Sequence, residues 1–82
     1  MMSELLLSKI RDGQSVIVRS IEESKLKVKL MEMGLIEGKC LKVLFRAPLG
    51  DPIAFDVEGY VLSLRKDEAS LITVEYQSSE TS

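Results

Sequence analysis

Few residues in this 82-residue chain could carry chemistry, and one segment has the outline of a nucleotide site. Gly34-Leu35-Ile36-Glu37-Gly38-Lys39-Cys40 places a lysine after two glycines, the order in which a phosphate-binding loop cradles its anion. That loop needs four residues between the glycines and a Ser or Thr hydroxyl after the lysine to hold magnesium. Here three residues intervene, Cys40 follows the lysine, and the preceding residues pattern as a helix rather than a strand. The segment reads as a turn at a helix end. The chain contains no histidine, which removes Ser-His and Cys-His nucleophilic pairs and the commonest transition-metal ligand. Met31, Met33 and Cys40 are soft donors suited to Cu(I), but Met33 belongs to an apolar helix stripe and Cys40 to a strand start. Glu22-Glu23 and Asp67-Glu68 are adjacent acids at turns, short of the converging oxygens a hard divalent ion requires. No metal site and no cofactor is expected. Arg11, Arg19, Arg46 and Arg65 are candidates for a catalytic arginine donated to a partner, and their spacing singles out none of them.

Composition narrows the class. The length corresponds to one domain. A formal net charge of −2 argues against nucleic-acid binding, which needs a clustered basic excess. A single cysteine leaves no intrachain disulfide and fits a reducing cytosolic setting. No apolar run approaches the ~20 residues of a membrane span, and the first residues lack the basic start and apolar stretch of a secretory signal.

The elements follow from periodicity. Leu5 to Ile10 reads as a short helical turn ending at Asp12-Gly13, and Val16-Ile17-Val18 as a strand with Val16 and Val18 inward. Lys25 to Met33 alternates like a strand yet also spaces Leu26, Leu30 and Met33 along one helical stripe. Good helix formers, Ser24 at the start and Gly34 at the end favour the helix. Leu41, Val43 and Phe45 alternate with charged neighbours, which predicts a strand with those three facing inward. Pro48, Gly50 and Pro52 turn the chain before a new run at Ile53. A two-residue turn at Glu58-Gly59 pairs Val57 with Tyr60, Phe55 with Leu62 and Ile53 with Leu64, so every inward pair is apolar. Lys66 to Ala69 makes a polar corner, and Ile72 with Val74 a last strand. Residues 1–76 form one domain, and 77–82 are expected to be a disordered tail. Strands this short with one inserted helix predict a mainly β fold: a small closed barrel of about five strands, which removes exposed edges.

Leu30-Met31-Glu32-Met33-Gly34-Leu35 with Gly38, then Ala47-Pro48-Leu49-Gly50-Asp51-Pro52, Gly59 to Arg65, and the Asp67-Glu68-Ala69 corner together resemble the ferrous iron transport protein A (FeoA) family over roughly Leu5 to Tyr76. The resemblance implies an SH3-like barrel and a non-catalytic cytosolic protein, recruited to the inner face of the membrane by its partner. That partner would be a ferrous iron transporter with a cytosolic GTP-binding domain. An alternative is the SH3-like C-terminal domain of an iron- or manganese-dependent transcriptional repressor. Val28 and Met31 point away from the helix stripe, and Val28 departs from the basic or polar residues usual there in the resembled family. They lie either under the Pro48–Pro52 loop or, with Leu35 and Leu49, on a partner-binding surface. With three of the four aromatics expected inward, a groove for proline-rich peptides is not expected.

Overall fold

The computed structural model describes residues 5–77. In chain order these form β1 (Leu5–Leu6), a 3₁₀ turn (Leu7–Lys9), β2 (Ser15–Ile21), α1 (Lys27–Glu32) and β3 (Cys40–Arg46). Next come β4 (Ile53–Val57), β5 (Tyr60–Leu64), α2 (Lys66–Ala69) and β6 (Ile72–Tyr76). The strands make one antiparallel sheet in the order β1-β6-β2-β3-β4-β5. This is a mainly β, SH3-like fold with six strands rather than about five, the addition being the two-residue β1 ahead of the 3₁₀ turn. The sheet is not closed: it begins at β1 and ends at β5. The disordered tail expected over 77–82 lies outside the described residues except for Gln77, whose N–H donates to the Ser15 carbonyl.

The sheet curls around Phe55, which is fully buried among Val16, Val18, Val43, Leu64 and Val74. Period-two alternation explains most of this core, and the β4–β5 register has the three expected pairs. Glu58 at φ +47 and Gly59 at φ +114 turn that hairpin with both central residues left-handed.

Alternation fails at two bulges. In β3 the register shifts between Val43 and Phe45, so Phe45 leaves the inner face that Leu41 and Val43 occupy and is 58% exposed. In β2 the shift falls between Val18 and Ser20, and the extra residue, Arg19, pairs with Glu75 at 3.5 Å. Tyr60, also expected inward, is half exposed, and its hydroxyl reaches the turn after α1 to donate to the Met33 carbonyl.

Helix α1 is the reading that Leu26, Leu30 and Met33 favoured, although its regular part begins at Lys27. Ser24 turns the chain ahead of it, accepting the Leu26 N–H at its hydroxyl (3.2 Å) and the Lys27 N–H at its carbonyl. At the other end Gly34 (φ +97) lets the Gly34 N–H reach Met31 O and the Leu35 N–H reach Leu30 O, the paired bonds of a Schellman cap. At the opposite end of the domain, the Arg46 guanidinium ties β3 to the N-terminal segment through the Ser8 and Ile10 carbonyls and Asp12.

Gly34→Ala combines strain at positive φ with a Cβ that would sit 2.7 Å from the Tyr60 hydroxyl oxygen. Urea unfolding should show a loss of about 1–2 kcal/mol. In a Tyr60→Phe background the same change should cost less, because only the backbone strain remains; strict additivity would place the clash elsewhere.

At the β4–β5 turn, Glu58 accepts the Cys40 N–H (3.2 Å) and faces Lys39 Nζ at 3.4 Å. The Cys40 hydrogen bond, aided by the Lys39 charge, holds the Glu58 carboxyl below its ordinary value of 4.5. A carboxylate depressed in the folded state stabilises above its unfolded pKa, and that contribution is lost as pH falls through the folded one. Stability should therefore fall below pH 4.5, and Glu58→Gln should flatten that part of the curve. A carboxyl NMR titration with its midpoint at or above 4.5 would contradict the assignment.

Candidate functional site

The outer face of α1 is the most exposed apolar part of a helix in this domain. Leu30 turns inward and is buried, Leu26 and Met33 pack against the core, and Val28 and Met31 face outward at 64% and 43% exposure. They are not covered by the Pro48–Pro52 loop, contrary to the packing reading of the sequence. Topology gives the reason. α1 leads into Cys40 at the start of β3, whereas the loop leaves Arg46 at its end, about 20 Å away at the usual rise of a strand. Asp51 anchors the loop at that far end by accepting the Lys66 N–H (2.8 Å).

The four expected contact residues are thus separated. Val28 and Met31 stay together on α1. Leu35 is a correction: as the residue after Gly34 in the Schellman cap it turns into the core and is fully buried, leaving nothing to present to a partner. Leu49 is 96% exposed, but at the loop tip away from α1. Gly34, Gly38, Gly50 and Gly59 all have positive φ, as turn residues should. Pro48 and Pro52 bracket a turn closed by Gly50 N–H to Ala47 O (2.7 Å).

Beside Met31 runs a groove of about 240 Å³ between α1, the turn after it and the Arg19–Ile21 end of β2. Ile21 and Met31 supply apolar lining, and Lys27, Arg19 and Glu37 line it with charge, while Leu35 lies beneath it within the core. Ile36, 44% exposed, completes the apolar rim. Sequence periodicity gives no signal for Ile36, because the turn from Gly34 to Gly38 follows neither helical nor strand alternation.

The nucleotide-like segment is structurally the reverse of a phosphate loop. It runs from a helix into a strand, and its backbone N–H groups are taken by a turn bond, Lys39 N–H to Ile36 O, and by a bond to β2, Gly38 N–H to Val18 O. Among the described residues no group of three or more His, Cys, Asp or Glu side chains converges as metal ligands would. Arg46 and Arg19 are engaged within the fold. Among the described residues no helix is long and apolar enough to cross a membrane. An apolar helix face beside a shallow, charge-rimmed groove can bind a surface; it holds no group poised for bond making.

The FeoA domain family matches residues 5–76. The "Fe(2+) transport protein A/Fe(2+) transporter FeoB fusion protein" of Porphyromonas gingivalis is 39% identical over 74 residues, which is 89% of this chain but 9% of that protein. The chain therefore spans under a tenth of that relative's length. A solution structure of a FeoA-like protein from Clostridium acetobutylicum is 38% identical, with a TM-score of 0.88 over 100% of this chain and 96% of that one. A manganese-dependent transcriptional repressor shares the fold at TM-score 0.85 and 21% identity, over 94% of this chain and 38% of the repressor's, a likeness of fold alone. On the family match and the close structural relative together, the chain belongs to the FeoA domain family, a family of non-catalytic accessory proteins of ferrous iron transport.

Proposed function

We propose that this chain is a cytosolic accessory protein of ferrous iron uptake that acts by docking on the GTP-binding domain of a FeoB-type membrane transporter. One observation carries the reading: in the Porphyromonas gingivalis relative, transport protein A and transporter FeoB are parts of one polypeptide. Covalent linkage replaces a bimolecular encounter by a high effective concentration, which is useful where the two parts work in contact. The α1 face supports the same reading from the side of physics. Val28, Met31 and Ile36 form a small exposed apolar centre with Lys27, Arg19 and Glu37 around it, the arrangement of an interface anchor inside a polar rim. The repressor alternative rests on likeness of fold alone.

Replacing Val28 and Met31 together by serine tests the docking face. Stability should change by less than about 1 kcal/mol, since both side chains are exposed. Association with the transporter's soluble GTP-binding domain should weaken by about 1–3 kcal/mol. A large loss of stability would make these residues core; unchanged stability with unchanged binding would remove α1 from the contact and make the Leu49 loop the next surface to test.

Metal is cargo of the transporter in this reading, not a ligand of this chain. Anaerobic calorimetry with Fe²⁺ should give no stoichiometric isotherm, given the absence of histidine and a single cysteine. A one-to-one isotherm of micromolar affinity would contradict it.

A further inference from the structure

The open end of the sheet at β5 has the makings of a joint between molecules. Across the Glu58-Gly59 turn, Tyr60, Leu62 and Leu64 lie opposite Val57, Phe55 and Ile53. A two-residue hairpin closes on a hydrogen-bonded pair, and such pairs recur at every second residue. Tyr60, Leu62 and Leu64 therefore give their backbone groups to β4. Val61 and Ser63 aim theirs outward, and among the described residues no strand lies beyond β5. The usual safeguards of an exposed edge are missing: Tyr60-Val61-Leu62-Ser63-Leu64 contains no lysine, no proline and no bulge, and Val61 is 65% exposed.

Charge at the two ends of β5 selects the occupant. Asp56 and Glu58 stand at its turn end, Arg65 and Lys66 at the other. Glu58 is shared with Lys39, while Asp56, whose carboxylate accepts the Gly59 N–H, has no ion pair among the described residues. When two copies run antiparallel about a twofold axis through Leu62, Val61 of each faces Ser63 of the other. Each such pair can exchange an N–H and a C=O. The same register lays the acidic turn end of each β5 beside the basic Arg65-Lys66 end of the other. Centring on Val61 or on Ser63 instead would join one hydrogen-bonding pair in place of two and shift the charges out of line. We propose that β5 is a self-pairing edge, through which two copies of this chain join into one continuous antiparallel sheet. The joint involves neither Val28 nor Met31, so its failure would leave the transporter reading intact.

Sedimentation equilibrium and amide hydrogen exchange on the full chain, from about 10 µM to about 1 mM, test this directly. A dimer should grow with concentration, and the Val61 and Ser63 amides, which have no strand partner among the described residues of one copy, should gain protection in step with it. Val61→Lys should raise the dimer dissociation constant at least about tenfold, as edge lysines oppose strand addition. The new lysine would face Asp56 across the β4–β5 ladder, so the melting temperature should hold. Val61→Thr should dimerise as the parent does. A chain that is monomeric throughout the range would overturn the proposal. So would a dimer indifferent to Val61→Lys with both amides unprotected, which would mean another face joins the copies. Protection appearing only on addition of the transporter's GTP-binding domain would overturn it in favour of a foreign strand at this edge.

Discussion

The hydrogen bond from the Leu35 N–H to the Leu30 carbonyl governs how this small domain is assembled. It forms because Gly34 takes a left-handed conformation that a residue with a Cβ enters only at a cost. That bond ends α1 after less than two turns and brings Leu30 and Leu35 into the core together. The chain is then aimed so that Gly38 and Lys39 exchange hydrogen bonds with Val18 and begin β3. Tyr60 closes the arrangement from the far side of the sheet by capping the Met33 carbonyl. The outward positions of Val28, Met31 and Ile36 are by-products of the same geometry, since they are what remains when Leu30 and Leu35 turn inward.

Sequence reading succeeded where local chemistry and burial agree. The β4–β5 register was legible because a one-residue slip would expose Ile53, Phe55 and Val57 at once, an error too costly to leave ambiguous. Gly34 was legible as a helix stop because glycine just past an apolar helical stripe has few other reasons to be there. The bulges were not legible: Arg19 and Leu44 look like ordinary members of alternating strands, and the extra residue shows only in the pairing of each strand with its neighbour. That decision belongs to tertiary packing, and it is why Phe45 was placed on the wrong face. Closure of the sheet failed for a similar reason, since whether β1 and β5 meet depends on total curvature. The α1 surface was half legible. Helical periodicity separated Val28 and Met31 from the core, but sequence distance said nothing of Leu49 lying at the other end of β3.

The aromatic side chains show why the fold alone does not indicate a ligand. Phe45, Tyr60 and Tyr76 are all substantially exposed, more aromatic surface than the sequence suggested. They are nonetheless dispersed. Tyr76 lies on β6 beside Gln14, Phe45 on β3 opposite Ala54, and Tyr60 on β5 against the end of α1. A proline-rich peptide needs neighbouring rings forming one trough, and this sheet spreads them over strands that are not adjacent. In the docking reading proposed above, the exposed Val28–Met31 face of α1 takes that role instead.

The position of β6 has a consequence for how the domain is made in the cell. The last of the described strands is an interior one, hydrogen-bonded to β1 on one side and β2 on the other, with Leu5 opposite Val74. Synthesis delivers β1 first and β6 last, so a nascent chain can form α1 and the β3–β4–β5 meander while β2 still has a bare flank. Only when Ile72 to Tyr76 clear the ribosome can the sheet be completed, by joining the two ends of the domain in a single non-local step. Where such a domain is part of a longer polypeptide, as in the fusion relative, Ile72 to Tyr76 must still be free to reach between β1 and β2 before the sheet is complete.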